Sequence, residues 1–234
     1  SHAIIAMPSA SHEARRKAAN ACVRAGVKPM TVPSFDDLIS GKVAVAAVRE
    51  VEVEDLLGRD PVKIDAPRLR QLIEGQVVMV TGAGGSIGSE LCRQIARFAP
   101  SAIVAFERGE FFLYNLVEEF SEVFPQIRIE PVIGDVREEA RLTLAMQQFR
   151  PVVVFHAAAY KHVPLMEGVN AVEAIRNNVG GTLAAARAAQ LCGVPRFVLV
   201  STDKAVNPVN VMGATKRFAE MACQALAARG GATA

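Results

Sequence analysis

VVMVTGAGGSIGSELCRQIA, residues 77–96, decides the fold. Val77–Val80 is an unbroken apolar run, as expected of a strand buried on both faces. It leads into Gly82, Gly85 and Gly88, and Ile87, Leu91, Ile95 and Phe98 then recur at the spacing of one apolar helical face. Strand, glycine turn and helix, in that order, make a seat for a dinucleotide. The first glycine permits the tight turn, the second lets the backbone approach a pyrophosphate, and the third lets helix and strand pack closely. The anion rests on the helix N-terminus, near Ser86 and Ile87, where free N–H groups and the dipole favour negative charge.

Further apolar runs at 102–106, 127–133, 152–156 and 196–200 alternate with helical stretches, one of them carrying Leu142, Ala145 and Phe149 on one face. Continuous apolar strands separated by helices predict an α/β fold, a Rossmann-like doubly wound parallel sheet, over residues 77–234. Glu107 ends the second of these strands, near the ~20-residue offset of an acid that binds an adenosine ribose. Its carboxylate favours NAD by repelling a 2′-phosphate. NADP stays open, because Arg108 beside it offers that phosphate a partner. Asp135 and Val136 end the third strand, where an aspartate reaches for the adenine amine or serves as a plain turn residue. Ala157, Ala158 and Ala159 end the fourth, and their small side chains leave room for a cofactor across the strand ends. His156 reads as a hydrogen-bonded core histidine.

Upstream, Ala3–Ala6 reads as a buried strand, 12–25 as a helix, and 29–32 and 43–48 as two more strands. Residues 1–50 are therefore expected to be the incomplete second half of a smaller α/β domain, and 51–76 a linker with one short helix. Lys+Arg 26 against Asp+Glu 24 gives no overall charge that would draw the chain to nucleic acid. The four cysteines are scattered and form no CxxC pair, which fits reduced thiols in a cytoplasmic compartment, and no spacing suggests a metal site. The sequence contains neither a signal peptide nor an apolar run long enough to span a bilayer. A homo-oligomer is left open.

The stretch STDKAVNPVNVMGATKR, residues 201–217, poses the chemical question. A short-chain dehydrogenase would place a tyrosine four residues before Lys216, and here that residue is Met212, which carries no proton. Taken together, TGAGGSIGSEL, GDVR, HAAAYKHVPLME, NNVGGT, this stretch and the upstream DLLGR resemble the large nucleotide-sugar 4,6-dehydratases of bacterial polysaccharide biosynthesis. Those are extended short-chain dehydrogenases acting on UDP-N-acetylglucosamine.

The resemblance implies NAD as cofactor and a UDP-sugar as substrate. It implies a cytoplasmic catalytic part of a protein anchored in the bacterial inner membrane, with much of the sugar-nucleotide site lying beyond this sequence. This chain alone is then expected to bind cofactor without turnover. A 4,6-dehydration needs a base at C5 and an acid at the departing 6-hydroxyl. By resemblance Asp203 is the acid and Lys204 the base, with roles that an adjacent pair can exchange. Thr202 bonds the 4-oxygen, Lys216 holds the nicotinamide ribose, and Met212 shapes the pocket. Lys161 and His162 either meet the sugar diphosphate or form an ordinary basic loop. Two rival readings are a nucleotide-sugar 4-epimerase and a non-catalytic NAD-binding regulatory module.

Overall fold

The computed structural model describes residues 2–7, 12–31, 49–50 and 65–228. The chain divides into two compact units, Ser1–Ile64 and Asp65–Ala234. In the first, β1 (His2–Ile5) pairs in parallel with β2 (Lys28–Thr31), and α1 (His12–Arg24) connects them. β2 pairs antiparallel with β3 (Arg49–Glu50). The first strand is not buried throughout as expected: Ile5 is buried but Ile4 is 59% exposed, because successive side chains of a strand face opposite ways. The expected strand at 43–48 and the DLLGR motif lie outside the described residues.

The second unit begins with α2 (Ala66–Ile73), capped by the Asp65 carboxylate, which accepts from the Arg68 amide at 3.1 Å. Its Ile73 enters the core of this unit. Next come β4 (Val77–Thr81), α3 (Ser86–Ala96), β5 (Ala102–Glu107), α4 (Glu110–Val123), β6 (Ile129–Ile133), α5 (Glu139–Phe149) and β7 (Val153–His156). After short 3-10 turns, a helix runs as α6 (Ala171–Ala174), a π-helical segment Ile175–Gly181, and α7 (Thr182–Leu191). β8 (Arg196–Leu199) and α8 (Val211–Ala228) complete it.

The strands order as β6-β5-β4-β7-β8, and every pairing is parallel. Alternation along β4 and β5 feeds two cores. Val78, Val80, Ile103 and Ala105 pack with Ile95, Leu113 and Phe120 on one face. Met79, Val104 and Phe106 pack with Leu142, Met146 and the alanines of α7 on the other. Each fully buried large side chain contributes ~1.5–3 kcal/mol. Alanines 185, 188 and 189 are fully buried, and their small size brings α7 close to the sheet. The apolar face of α3 differs from the expected one: Gly88, Cys92, Ile95 and Ala96 are buried, whereas Ile87 is 49% exposed. Ile87 sits in the first helical turn, which opens onto a cleft rather than onto the core.

Candidate active site

The chain leaves β4 for β5 and β6 on one side, then returns to β7 and β8 on the other. The crevice between the carboxyl ends of β4 and β7 is therefore the topological switch point, the usual ligand position in such sheets. The glycine loop lies there. Gly82 has φ +69°, and a Cβ on it would stand 2.7 Å from Ala158 Cα. A Cβ on Gly88 would lie 2.0 Å from the Gly82 carbonyl oxygen. Both positions thus require glycine in this packing. Gly85 caps α3 without any side-chain acceptor, so the first-turn amides face outward for an anion.

Two clefts meet at this loop, of about 330 and 310 Å³, sharing Gly85, Ser86, Ala157, Ala159 and Tyr160. Gly82, Glu107, Arg108, Asp135, Val136 and Ala158 line the first of them. Ile87, Gly88, Lys161, Thr202, Lys204, Met212 and Lys216 line the second. Two concavities joined across a glycine loop match the two halves of a dinucleotide. Of the residues anticipated from sequence, Asp203 and His162 line neither cleft.

The first cleft is held by charge and backbone together. The Glu107 carboxylate accepts from the amides of Gly84 (3.1 Å), Arg108 (2.8 Å) and Gly109 (2.9 Å), which fixes it beside the loop. Asp135 accepts from the Arg137 guanidinium at 2.6 Å and from the Arg137 amide at 2.9 Å. These bonds hold its carboxyl below the usual range. Arg108 donates to the Tyr160 hydroxyl at 3.0 Å, lies over that ring at 5.8 Å and stands 3.5 Å from Asp135. Asp135 thus carries two guanidinium partners here, and an adenine amine would have to share it with them.

In the second cleft, Lys216 is only 5% exposed, and its Nζ donates to the Val200 carbonyl at 2.6 Å. Burial pushes its pKa below the ordinary lysine range. Met212, one turn earlier on α8, is also buried, so the two side chains share a helical face. The Thr202 hydroxyl donates to Asp203 at 3.0 Å and accepts from the Lys204 amide at 3.3 Å. Lys204 Nζ stands 3.4 Å from Asp203, with the two side chains 52% and 74% exposed. The Thr202 hydrogen bond, followed by the Lys204 charge, lowers the Asp203 pKa, so this carboxyl is ionised at neutral pH. Lys161 Nζ donates to Ser86 Oγ at 2.7 Å, which brings a cation to the start of α3.

Sequence reading missed Tyr160, Asn177 and Phe112, all of which line the first cleft. Tyr160 directly follows the HAAA strand end, and that position alone was a usable signal. Asn177 is delivered by the π-helical segment, a rare element that recurs at functional sites. Its signal was a pair of asparagines, weak helix formers, inside an otherwise helical stretch.

The model of the family described as polysaccharide biosynthesis protein matches residues 78–234. The chain belongs to that family. It is 47% identical over 224 residues to capsular polysaccharide biosynthesis protein CapD of Staphylococcus aureus, covering 95% of this chain and 37% of that protein. It is 36% identical over 146 residues to a UDP-N-acetylglucosamine 4,6-dehydratase (inverting) of Campylobacter jejuni, covering 62% of this chain and 42% of that one. Among solved structures, UDP-glucose 4-epimerase from Brucella ovis in complex with NAD superposes with a TM-score of 0.56 at 25% identity. That match covers 65% of this chain and 48% of the epimerase. The chain thus spans less than half the length of each of these relatives. Relatives with assigned reactions include nucleotide-sugar dehydratases, and a 4-epimerase shares the fold. Among the described residues, no helix is long and apolar enough to cross a membrane.

Proposed function

We propose that this chain is the NAD-binding, acid–base half of a nucleotide-sugar 4,6-dehydratase acting on a UDP-sugar of the UDP-N-acetylglucosamine type. The observation that carries this reading is the second cleft, where Thr202, Lys204 and Lys216 converge beside the glycine loop and Met212 fills the tyrosine position. When bound, NAD would supply a hydride acceptor at the sugar C4 and return that hydride to C6. The residues that fit it are Gly82, Gly85 and the first-turn amides for the pyrophosphate, Glu107 for the adenosine ribose, and Lys216 for the nicotinamide ribose.

Elimination of water across C5 and C6 is left to this chain's own side chains. Lys204, facing the cleft, takes the C5 proton once its own proton has passed beneath the bound sugar to Asp203, 3.4 Å away, and Asp203 then gives that proton to the departing 6-hydroxyl. A sugar over the pair would remove water and favour the neutral form, in which one proton is shared between them. Thr202 orients the pair through bonds to both. Met212 carries no proton and takes no part in these two transfers. We further expect a longer protein containing this chain to be held at a membrane with this part on the cytoplasmic side, as the resemblance implies.

The test is incubation of a full-length protein containing this chain with UDP-N-acetylglucosamine. A UDP-4-keto-6-deoxy product that has lost one water supports the reading. A product of unchanged composition inverted at C4 would instead identify a 4-epimerase.

A further inference from the structure

His156 is fully buried, lines neither cleft, and takes no part in the chemistry proposed above. Its Nδ1 lies 2.6 Å from Thr81 Oγ1 and its Nε2 lies 3.1 Å from Thr182 Oγ1. The Thr182 hydroxyl donates its proton to the Asn178 carbonyl at 2.6 Å. Its oxygen therefore has only lone pairs left for the ring. It follows that Nε2 carries the ring proton, and that bare Nδ1 accepts from the Thr81 hydroxyl. The donors run one way, from Thr81 through His156 and Thr182 to the Asn178 carbonyl.

Both ends of this chain adjoin residues that line the first cleft, Gly82 and Asn177. Thr81 immediately precedes Gly82, and it pairs with His156 across the β4–β7 ladder. Asn178 belongs to the π-helical segment and is fully buried. Its side chain accepts from the Tyr160 amide at 2.8 Å and donates to the Tyr160 carbonyl at 3.0 Å and to Thr215 Oγ1 at 3.0 Å. Thr215 in turn donates to the Met212 carbonyl at 2.7 Å, on α8. Around the ring stand the two threonines and Phe197, stacked at 5.7 Å. Lys216 is the charged group that acts on it, and burial first, then that charge, pushes its pKa down to about 3.

We propose that His156 is a positioning residue for the dinucleotide cleft. Fixed as the neutral Nε2–H tautomer, it ties the start of the glycine loop to the π-helical segment, and so sets where Gly82, Tyr160 and Asn177 stand. The inference rests on the reading of the clefts as a dinucleotide site. A side chain that accepts at one end and donates at the other can stand in for the ring, and an apolar one cannot.

The first arm is ¹⁵N NMR of the whole chain labelled at histidine. His156 should give a protonated Nε2 and a bare Nδ1, unchanged from about pH 8 to about pH 5, a range that brackets the ordinary histidine pKa. An Nδ1–H tautomer, or a ring that titrates in that range, overturns the proposal. The second arm measures NADH affinity for the unaltered chain, His156→Gln, His156→Leu and Thr182→Val, the last keeping the shape of the threonine. Loss of one buried hydrogen bond should weaken binding about tenfold in Thr182→Val and at least that in His156→Leu. His156→Gln should restore most of it. Folded variants that all match the unaltered chain overturn the proposal alone. If the unaltered chain binds no NADH, the dinucleotide reading fails and the proposal fails with it.

Discussion

Replacing Gly88 by alanine tests the glycine loop where its geometry is least forgiving. The added Cβ would meet three backbone atoms, Gly82 O at 2.0 Å, Gly82 C at 2.7 Å and Ala83 Cα at 2.9 Å. Reaching even the 3.0 Å limit of real Cβ contacts requires the helix and loop to part by about 1 Å, and no flexible side-chain tip is there to yield. Overpacking of this kind costs ~1–3 kcal/mol, or a fall in Tm of roughly 2–12 °C for a unit of this size. A 1 Å displacement also moves the first-turn amides off a pyrophosphate, so NADH affinity should drop about a hundredfold, by analogy with the cost of similar misplacements in catalysis. Gly85→Ala is the control, because its Cβ would meet Gly82 O at 3.2 Å, a tight contact that a few tenths of an ångström relieves. It should hold Tm while weakening cofactor, because its methyl stands where the anion approaches. Thermal unfolding and NADH titration of both variants decide the matter. An unchanged Tm and affinity in Gly88→Ala would refute the packing argument, and a Tm loss in Gly85→Ala as large as in Gly88→Ala would refute the division of roles.

Three further outcomes are expected. Glu107→Ala removes the acceptor of three amides and the proposed ribose partner, so NAD should weaken about tenfold and NADP less; equal losses would remove the ribose assignment. In a full-length protein, Lys204→Ala should cost ~10²–10⁴ in rate and stop exchange of the C5 proton with deuterated solvent, whereas Met212→Ala should cost little. Near-normal C5 exchange in Lys204→Ala would place the base elsewhere. His156 binds its proton at 6.5 when unfolded and at about 3 when folded. Between those values the unfolded state holds more protons, so stability is full above pH 6.5 and falls as pH drops, by ~1.4 kcal/mol per unit. Denaturant titrations at pH 7 and pH 5 should show that loss in the unaltered chain and not in His156→Gln; equal slopes would contradict it.

The doubly wound sheet was readable from residues 77–200 because its signals are local. Apolar tetrads, glycine spacing and helical periodicity lie within a few residues of what they determine. The misreadings came where burial depends on distant partners. Ile87 has the right spacing for a core face, yet the helix start points into a cleft lined by residues that follow β7 and by residues of α8, far away in sequence. Asp203 and Lys204 are neighbours in the chain and meet at 3.4 Å, but in the 3-10 turn Asp203–Ala205 only Lys204 lines the cleft, while the Asp203 side chain is 74% exposed. Asn177 and Asn178 point as they do because of the π-helical segment, whose extra residue per turn a 3.6-residue period does not reveal. Tyr160 needed the fold to bring Arg108 to its ring.

The central claim, dehydration with a hydride carried within one sugar, is tested most directly by UDP-N-acetylglucosamine deuterated at C4, given to a full-length protein containing this chain. The product should be a 4-keto-6-deoxy sugar nucleotide that has lost one water and carries the deuterium at C6. Deuterium retained at C4 of an epimerised product, or a product that keeps its 6-hydroxyl, would contradict the account.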